Sequence, residues 1–519
     1  MAIISQKIER VDEIPLILHW LKILRVTEII DAIWHPHGNW KGLSYGQLAV
    51  LFVTYVINSL THKFSGMEKW VMEHKTVLEK STNWKIGEKD ATDDRLGLMV
   101  GELGSEIEKA IEFKEKSGQH MIQAFELPTE IARYDTTSLN VHHNPEKTQE
   151  GILSFGHSKD KRPDLLQFKQ GLGVLDPAGI PIFSETIAGK EADDPLYVPA
   201  WKKMSKIMGR TDFLYVTDSK GSGSKTRATI DFERGYYLCP LPMTGKVPEE
   251  LKKLVLNPPK EAETIKLENV VDKKGNPIVV GKGFVVKKNM ETELGERKHN
   301  WEERCLIIRS NAHAERKKPA FIKRLQKAEN TLQKLKASSE ETVDNFKERV
   351  NRIIKKHYVE GTLAISVTET IVKKKHYTKR GRPGPKTPFE MIEIRKLGLE
   401  IKRLQAVIDE RNTLAGWRIY VTNTSEEQMT LEQSVRYYRD EWLVEHSFHR
   451  LKKGKLPVLP LFLRIRERIR GLMLLLTVAI QVLTLMEFVI RRELAQQQQT
   501  LAGLVPGNQK IKTSRPTSS

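Results

Sequence analysis

IARYDTTSLNV, residues 131–141, mixes β-branched and aromatic side chains and then turns polar, the texture of a strand whose polar cluster starts at Asp135. Working outward, QGLGVLDPAGIPIFSETI (170–187) reads as two strands around an Asp176-Pro177-Ala178-Gly179 turn, because Pro and Gly favour a tight reversal there. A helical stretch around PLYVPAWKKMSKIM (195–208) leads to DFLYVTDS (212–219), a short apolar strand ending on Asp218. GSGSKTRATIDF then starts another helix, and GYYLCPLP (235–242) closes with another strand. Strand, hairpin, helix, strand, helix, strand predicts an α/β fold with an RNase H-like mixed-sheet core.

The flanks divide the chain further. Residues 1–125 read as an all-helical domain, with amphipathic runs such as IPLILHWLKILRV (14–26) and YGQLAVLFVTYVINSL (45–60). Ser44 and Thr92 are expected to cap two of its helices, the second with acids in its first turn. Such a region suits either a helix-turn-helix-like DNA-binding module or a small packing bundle. Residues 126–245 form the first part of the core, and 246–416 an insertion with β hairpins, one of them around Lys273-Lys274-Gly275-Asn276. Within the insertion, roughly 312–356 is expected to be a solvent-exposed charged arm or a helical hairpin rather than core, and KKKHYTKRGRPGPKTP (373–388) a basic linker rich in Pro and Gly. Residues 417–494 complete the core, and 495–519, with a Gln run and SRPTSS, read as a disordered tail.

Across the 519 residues, 85 Lys and Arg stand against 66 Asp and Glu, a formal charge of +19. That excess favours a polyanionic partner, since neutralised phosphates release counterions whatever the base sequence. Two cysteines, Cys239 and Cys305, exclude a disulfide framework and a cysteine-built zinc site, and point to a reducing cytoplasm. The first residues lack the basic-then-apolar pattern of a secretory signal. Gly471–Ile490 is long and apolar enough to span a bilayer, but Gln481 and Glu487 interrupt it; a core helix is expected, with no membrane partner.

YYRDEWLVEHSFHRLKKGK (437–455) supplies a third acid. On one regular helix, Tyr438, Glu445 and Lys452 recur every seventh residue and fall on nearly one face. Asp135 and Asp218 each stand where an apolar strand gives way to polar residues. With Glu445 laid against that edge, they would make an all-oxygen site for hard ions such as Mg2+ or Mn2+. Two such ions roughly 4 Å apart activate an attacking oxygen and stabilise a leaving one in phosphoryl transfer. Each acid is equally readable alone as a turn residue or helix cap.

RYDTTSLNV, FGHSKDKRPDLLQ (155–167), LYVTDSKGSGSK and YRDEWLVEHSFHRLKKGK, in that order, resemble the bacterial insertion-sequence DDE transposases. The likeness is to the IS-four-like superfamily, whose signature Y-x2-R-x3-E-x6-K surrounds its third acid, and it covers roughly 125–490. By that resemblance Asp135, Asp218 and Glu445 are the catalytic, metal-binding acids, and Tyr438 and Lys452 flank the third. The signature's arginine position holds Glu441, with Arg439 two residues away. The resemblance implies cleavage of double-stranded DNA at the terminal inverted repeats of an element, then joining of the freed 3′-OH to target DNA. It also implies a homodimer on DNA and a nucleoid-associated protein of bacterial or archaeal cytoplasm. A metal-dependent nuclease of the same fold and an inactive, DNA-binding derivative are the alternatives.

His157, Lys159, Lys161 and Arg162 lie between expected strands and read as a phosphate-contacting loop, ahead of a plain solvated turn. Arg380 and Arg382, in an Arg-Gly-Arg-Pro stretch, could lie in an A·T-rich minor groove, but a nonspecific basic linker is the favoured reading. Trp301 and Trp417 border strands, where core packing is favoured over stacking on an unpaired base. The His35-Pro36-His37 triplet and the His142-His143 pair lack the partners zinc needs, and His449 reads as a surface residue or a phosphate contact.

Overall fold

The computed structural model describes the chain except residues 1–7, 148–150, 273, 339–340, 378–381, 386, 505–506, 509 and 519. It divides into two compact units: Met1–Pro242 with Lys287–Arg304 and Val421–Ser519, and Met243–Val286 with Cys305–Tyr420. Lys287–Arg304, which the sequence reading set inside the insertion, thus belong to the first unit.

The first unit opens with seven helices: α1 (Ile14–Ile23), α2 (Val26–Ile33), α3 (Tyr45–Ser59), α4 (Met67–Glu73), α5 (Lys75–Thr82), α6 (Asp93–Ser105) and α7 (Ile107–Phe125). Ser44 closes a capping box with Gln47 at the start of α3. Thr92 precedes α6 without a side-chain cap bond, leaving Asp93 and Asp94 to meet the positive helix end.

Five strands follow: β1 (Ile131–Val141), β2 (Leu166–Leu175), β3 (Ile180–Ala188), β4 (Leu214–Thr217) and β5 (Tyr236–Pro240), with helices α8 (Tyr197–Met208) and α9 (Ser224–Phe232) between the later ones. They lie in the order β3-β2-β1-β4-β5. β1 to β3 form an antiparallel meander, whereas β4 and β5 run parallel to β1. That is the RNase H-like arrangement. Every residue of β2 is buried, so both sheet faces are covered.

The hairpin turn is fixed at two points. Arg133, 2% exposed, grips Asp176 with two bonds of 2.6 Å. Gly179 adopts φ +66, and a Cβ there would lie 2.7 Å from the carbonyl oxygen of Leu443. Only glycine allows the helix carrying Glu445 to seat so close.

The apolar segment near the C-terminus is one helix, Arg466–Gln496, of which 83% of the most apolar window is buried. It packs on α6, α3, α1 and β3. At its crossing with α6 a Cβ on Gly471 would meet the carbonyl oxygen of Val100, and one on Gly104 that of Glu467, so two glycines let the backbones touch. Its polar residues are satisfied internally. Gln481 donates to the Pro181 carbonyl at 2.9 Å, and Glu487 accepts from Arg450 at 2.5 Å and from the Ser518 amide at 2.6 Å. Ser518, in the segment expected to be a disordered tail, thus has a buried partner. Arg491 also donates to the Pro516 carbonyl, and Leu501–Ala502 pairs with Lys512–Thr513.

In the second unit, Asn311–Gln333 and Val343–Lys356 are two helices packed on each other, the hairpin alternative, but they carry a core of their own. Phe321, Leu325, Leu332, Phe346 and Val350 form a core with Leu363 and Ile408. The sequence hid this because each helix has only a narrow apolar stripe among many charges. Of the expected basic linker, residues 373–377 lie in the strand Leu363–Tyr377, paired antiparallel with Phe389–Arg403, and 378–381 and 386 lie outside the described residues. Trp301 and Trp417 are both buried, which settles them as packing residues.

Candidate active site

Parallel register places the two aspartates. β1 pairs with β4 as Ala132–Tyr215, Arg133–Val216 and Tyr134–Thr217, so the next step sets Asp135 beside Asp218. Neighbouring strands lie about 4.8 Å apart, and residues in parallel register point to the same face. Asp218 does follow the last residue of its strand. Asp135 does not: it sits inside the eleven-residue β1, facing Leu172 of β2. The strand end expected there is the end of the pairing with β4, which an isolated strand pattern cannot reveal.

Each aspartate has partners from outside its strand. Asp218 caps the turn Ser219–Ser222 by accepting from the Lys220 amide at 2.9 Å, and it accepts from the Tyr197 hydroxyl at 2.5 Å. Burial, then the charges of Asp218 and Asp135, push the Tyr197 phenol far above its ordinary range, so it stays a donor. Asp135 accepts from the Thr136 amide at 2.7 Å, and the Lys159 ammonium lies 3.3 Å away. That ammonium also donates to the carbonyl and hydroxyl of Thr136. Burial raises the Asp135 carboxyl to about 6; Lys159 opposes the rise and Asp218 adds to it.

The segment carrying the third acid is two helices, Leu431–Arg439 and Trp442–Lys452. The first begins with a Thr430–Gln433 capping box. Between them the bonds tighten to i→i−3, with the Glu441 amide donating to Tyr438 and the Leu443 amide to Asp440. This corrects the single stripe expected through Tyr438, Glu445 and Lys452: only the last two share a helix. That second helix packs on β1 and β2. Glu445 is exposed.

Glu441, at the joint, is the acid the sequence undervalued. It is half-buried and accepts a hydrogen bond from Tyr438. Burial lifts its carboxyl to about 7; the Tyr438 bond opposes this, and Asp135, Asp218 and Glu445 add to it. Four carboxylates therefore share one electrostatic neighbourhood. Among the described residues no three His, Cys, Asp or Glu side chains stand close enough to hold one ion together. The donor chemistry still fits a hard cation, for Asp135 and Asp218 are adjacent oxygen donors whose mutual repulsion a cation relieves.

The basic residues separate into two groups. Lys159 lies against Asp135, and Lys452 pairs with Asp160 at 3.1 Å, while Asn140 also donates to Asp160 at 3.0 Å. His157, Lys161, Arg162, Arg439 and His449 are exposed, with Arg162 bound to Asp164. Arg382 is exposed, and Arg380 lies outside the described residues.

The family model described as the transposase DDE domain matches residues 128–482, from just before β1 to the middle of the C-terminal apolar helix. The chain belongs to that family. It is thus a transposase of the DDE type, an enzyme class that cuts and joins DNA with divalent metal ions. No curated protein matches it. Among solved structures it is similar to the cryo-EM structure of a piggyBac transposase synaptic complex with hairpin DNA. The identity is 10%, the match covers 96% of this chain and 87% of that one, and the TM-score is 0.33.

Sequence reasoning missed Tyr197 as the partner of Asp218 and Glu441 as a member of the acid cluster. Nothing near Tyr197 in sequence announces the contact. Glu441 did carry a signal, a charge reversal within a signature otherwise kept.

Proposed function

We propose that this transposase cuts the phosphodiester bond at each end of an insertion sequence and joins the freed 3′-OH to target DNA by two-metal-ion catalysis. Register carries the reading: Asp135 and Asp218 follow a shared pairing, and burial with mutual repulsion leaves the pair in need of a cation. Asp135, Asp218 and Glu445 are the proposed ligands of Mg2+, with Mn2+ as a substitute. Bound ions would supply the charge that activates the attacking oxygen and stabilises the leaving one. Water cuts the strand and leaves a 3′-OH. In joining, that hydroxyl forms one P–O bond as another breaks, so no nucleotide cofactor is consumed.

The chain's own residues then have separable tasks. Tyr197 keeps Asp218 oriented through its hydroxyl. Lys159 balances Asp135 until a cation replaces it. Lys452, Arg439, Tyr438, His157, Lys161 and Arg162 contact DNA phosphates, and Arg380 and Arg382 bind DNA from the basic linker. Glu441 is a second reading for the third ligand, favoured by the influence of both aspartates on its carboxyl.

Holding two element ends together calls for a homodimer on double-stranded DNA. Two buried free thiols, Cys239 and Cys305, suit a reducing, nucleoid-associated location in the cytoplasm. Incubation with Mg2+ and a duplex carrying the element's terminal repeat tests the proposal. Joined products, lost in Asp135→Ala and Asp218→Ala while binding persists, support it. Nicking alone identifies a nuclease, and activity in either variant refutes the assignment.

A further inference from the structure

Within the first unit, α6, α7, α8, β3 and the Arg466–Gln496 helix enclose a cavity of about 150 Å³. Four charged side chains line it: Lys114, Lys203, Arg470 and Glu185. Glu185 is already committed. It accepts from the Tyr134 hydroxyl at 2.5 Å and pairs with Lys203 at 3.2 Å, while the Lys203 ammonium lies 5.1 Å from the centre of the Phe183 ring. Lys114 and Arg470 make no hydrogen bond or ion pair with any described residue.

Three lining cations against one lining carboxylate leave a positive excess in a partly enclosed space, and the acid acting on Arg470, Glu467, is itself bound to Arg466. Burial pulls the Lys114 ammonium down to about 8; Glu185 opposes the fall, and Lys203 and Arg470 add to it. Partly desolvated cations without partners are costly, and a protein retains them where something neutralises them. We propose that this cavity binds a phosphate-type oxyanion through Lys114 and Arg470. Tetrahedral oxygens can accept from an ammonium and a guanidinium fork at once. A cavity of that size has room for several waters, and so for a phosphate group. Gly104, whose lack of a side chain permits the close helix crossing, lines the same cavity, so its walls are set by backbone contact.

The anion is either free or part of a nucleic-acid backbone. The test titrates inorganic phosphate into the full chain by calorimetry at constant ionic strength, with EDTA present. The wild type is expected to bind in a saturable manner, and Lys114→Gln and Arg470→Gln to weaken binding at least tenfold. If either variant fails to fold, the other gives the reading, and Lys114→Arg, which keeps the charge, should retain binding within about threefold. A short duplex that displaces phosphate, and binds the variants less tightly, identifies a DNA phosphodiester as the source. Phosphate retained beside bound duplex identifies a free anion. Absence of saturable phosphate binding in the wild type overturns the proposal, as does unchanged affinity in the folded variants.

Discussion

Replacing Asp135 with Asn should make the metal-free protein more stable while abolishing its chemistry. The folded protein holds the Asp135 carboxyl at about 6 against an ordinary 3.8, chiefly through burial, with the attraction of Lys159 already contained in that value. At 1.36 kcal/mol per pH unit the difference is about 3 kcal/mol. Its sign follows from proton binding. Between 3.8 and about 6 the folded state binds the proton better than the unfolded state, so stability falls as pH rises through this window. The cost of the charge is complete above about 6 and gone near 3.8. Asn carries no charge and escapes it. Urea unfolding in EDTA, followed by tryptophan fluorescence, should therefore find Asp135→Asn more stable by about 3 kcal/mol at pH 8, with the gap closing near pH 4. Added Mg2+ should stabilise the wild type and leave the variant unmoved. A variant no more stable than wild type at pH 8, or a gap unchanged at pH 4, would refute the reasoning.

Four further outcomes are expected. Glu441→Gln should flatten the pH dependence of Mn2+ affinity around pH 7, where the wild-type carboxyl at about 7 gains its proton as pH falls; equal slopes in the two proteins would remove Glu441 from the ion's surroundings. Asp176→Ala leaves the buried Arg133 unpaired and should cost about 3–5 kcal/mol in urea unfolding. Gly179→Ala strains a φ of +66 and presses on Leu443, so strand joining should fall further than a stability loss of about 1–2 kcal/mol explains. Lys452→Ala should weaken duplex binding and lower the slope of log affinity against log salt by about one; an unchanged slope would take Lys452 off the phosphates.

The core was legible in the sequence because its signals are local. β1 to β5 and α8 each announce themselves by alternation, apolar runs or turn residues within about a dozen positions. The hairpin at Asp176–Gly179 was readable for the same reason, although the grip of Arg133 was not. What stayed hidden depends on partners distant in the chain. Asp135 looked like a strand end because the extent of β4 decides where parallel pairing stops. The break at Asp440–Glu441 escaped because no Pro or Gly marks it and the helix periodicity continues through it. The helices of 311–333 and 343–356 looked solvated, since their shared core needs both helices and the strand at Leu363. The tail looked disordered by composition, yet the buried carboxylate of Glu487 gives Ser518 a partner.

The most direct test of a shared metal site is X-ray anomalous scattering from crystals of the full chain grown with Mn2+ and an element-end duplex. An ion bound by both Asp135 and Asp218, at about 2.2 Å from a carboxylate oxygen of each, is the predicted result. Manganese bound elsewhere, with those two carboxylates free of it, would contradict the account.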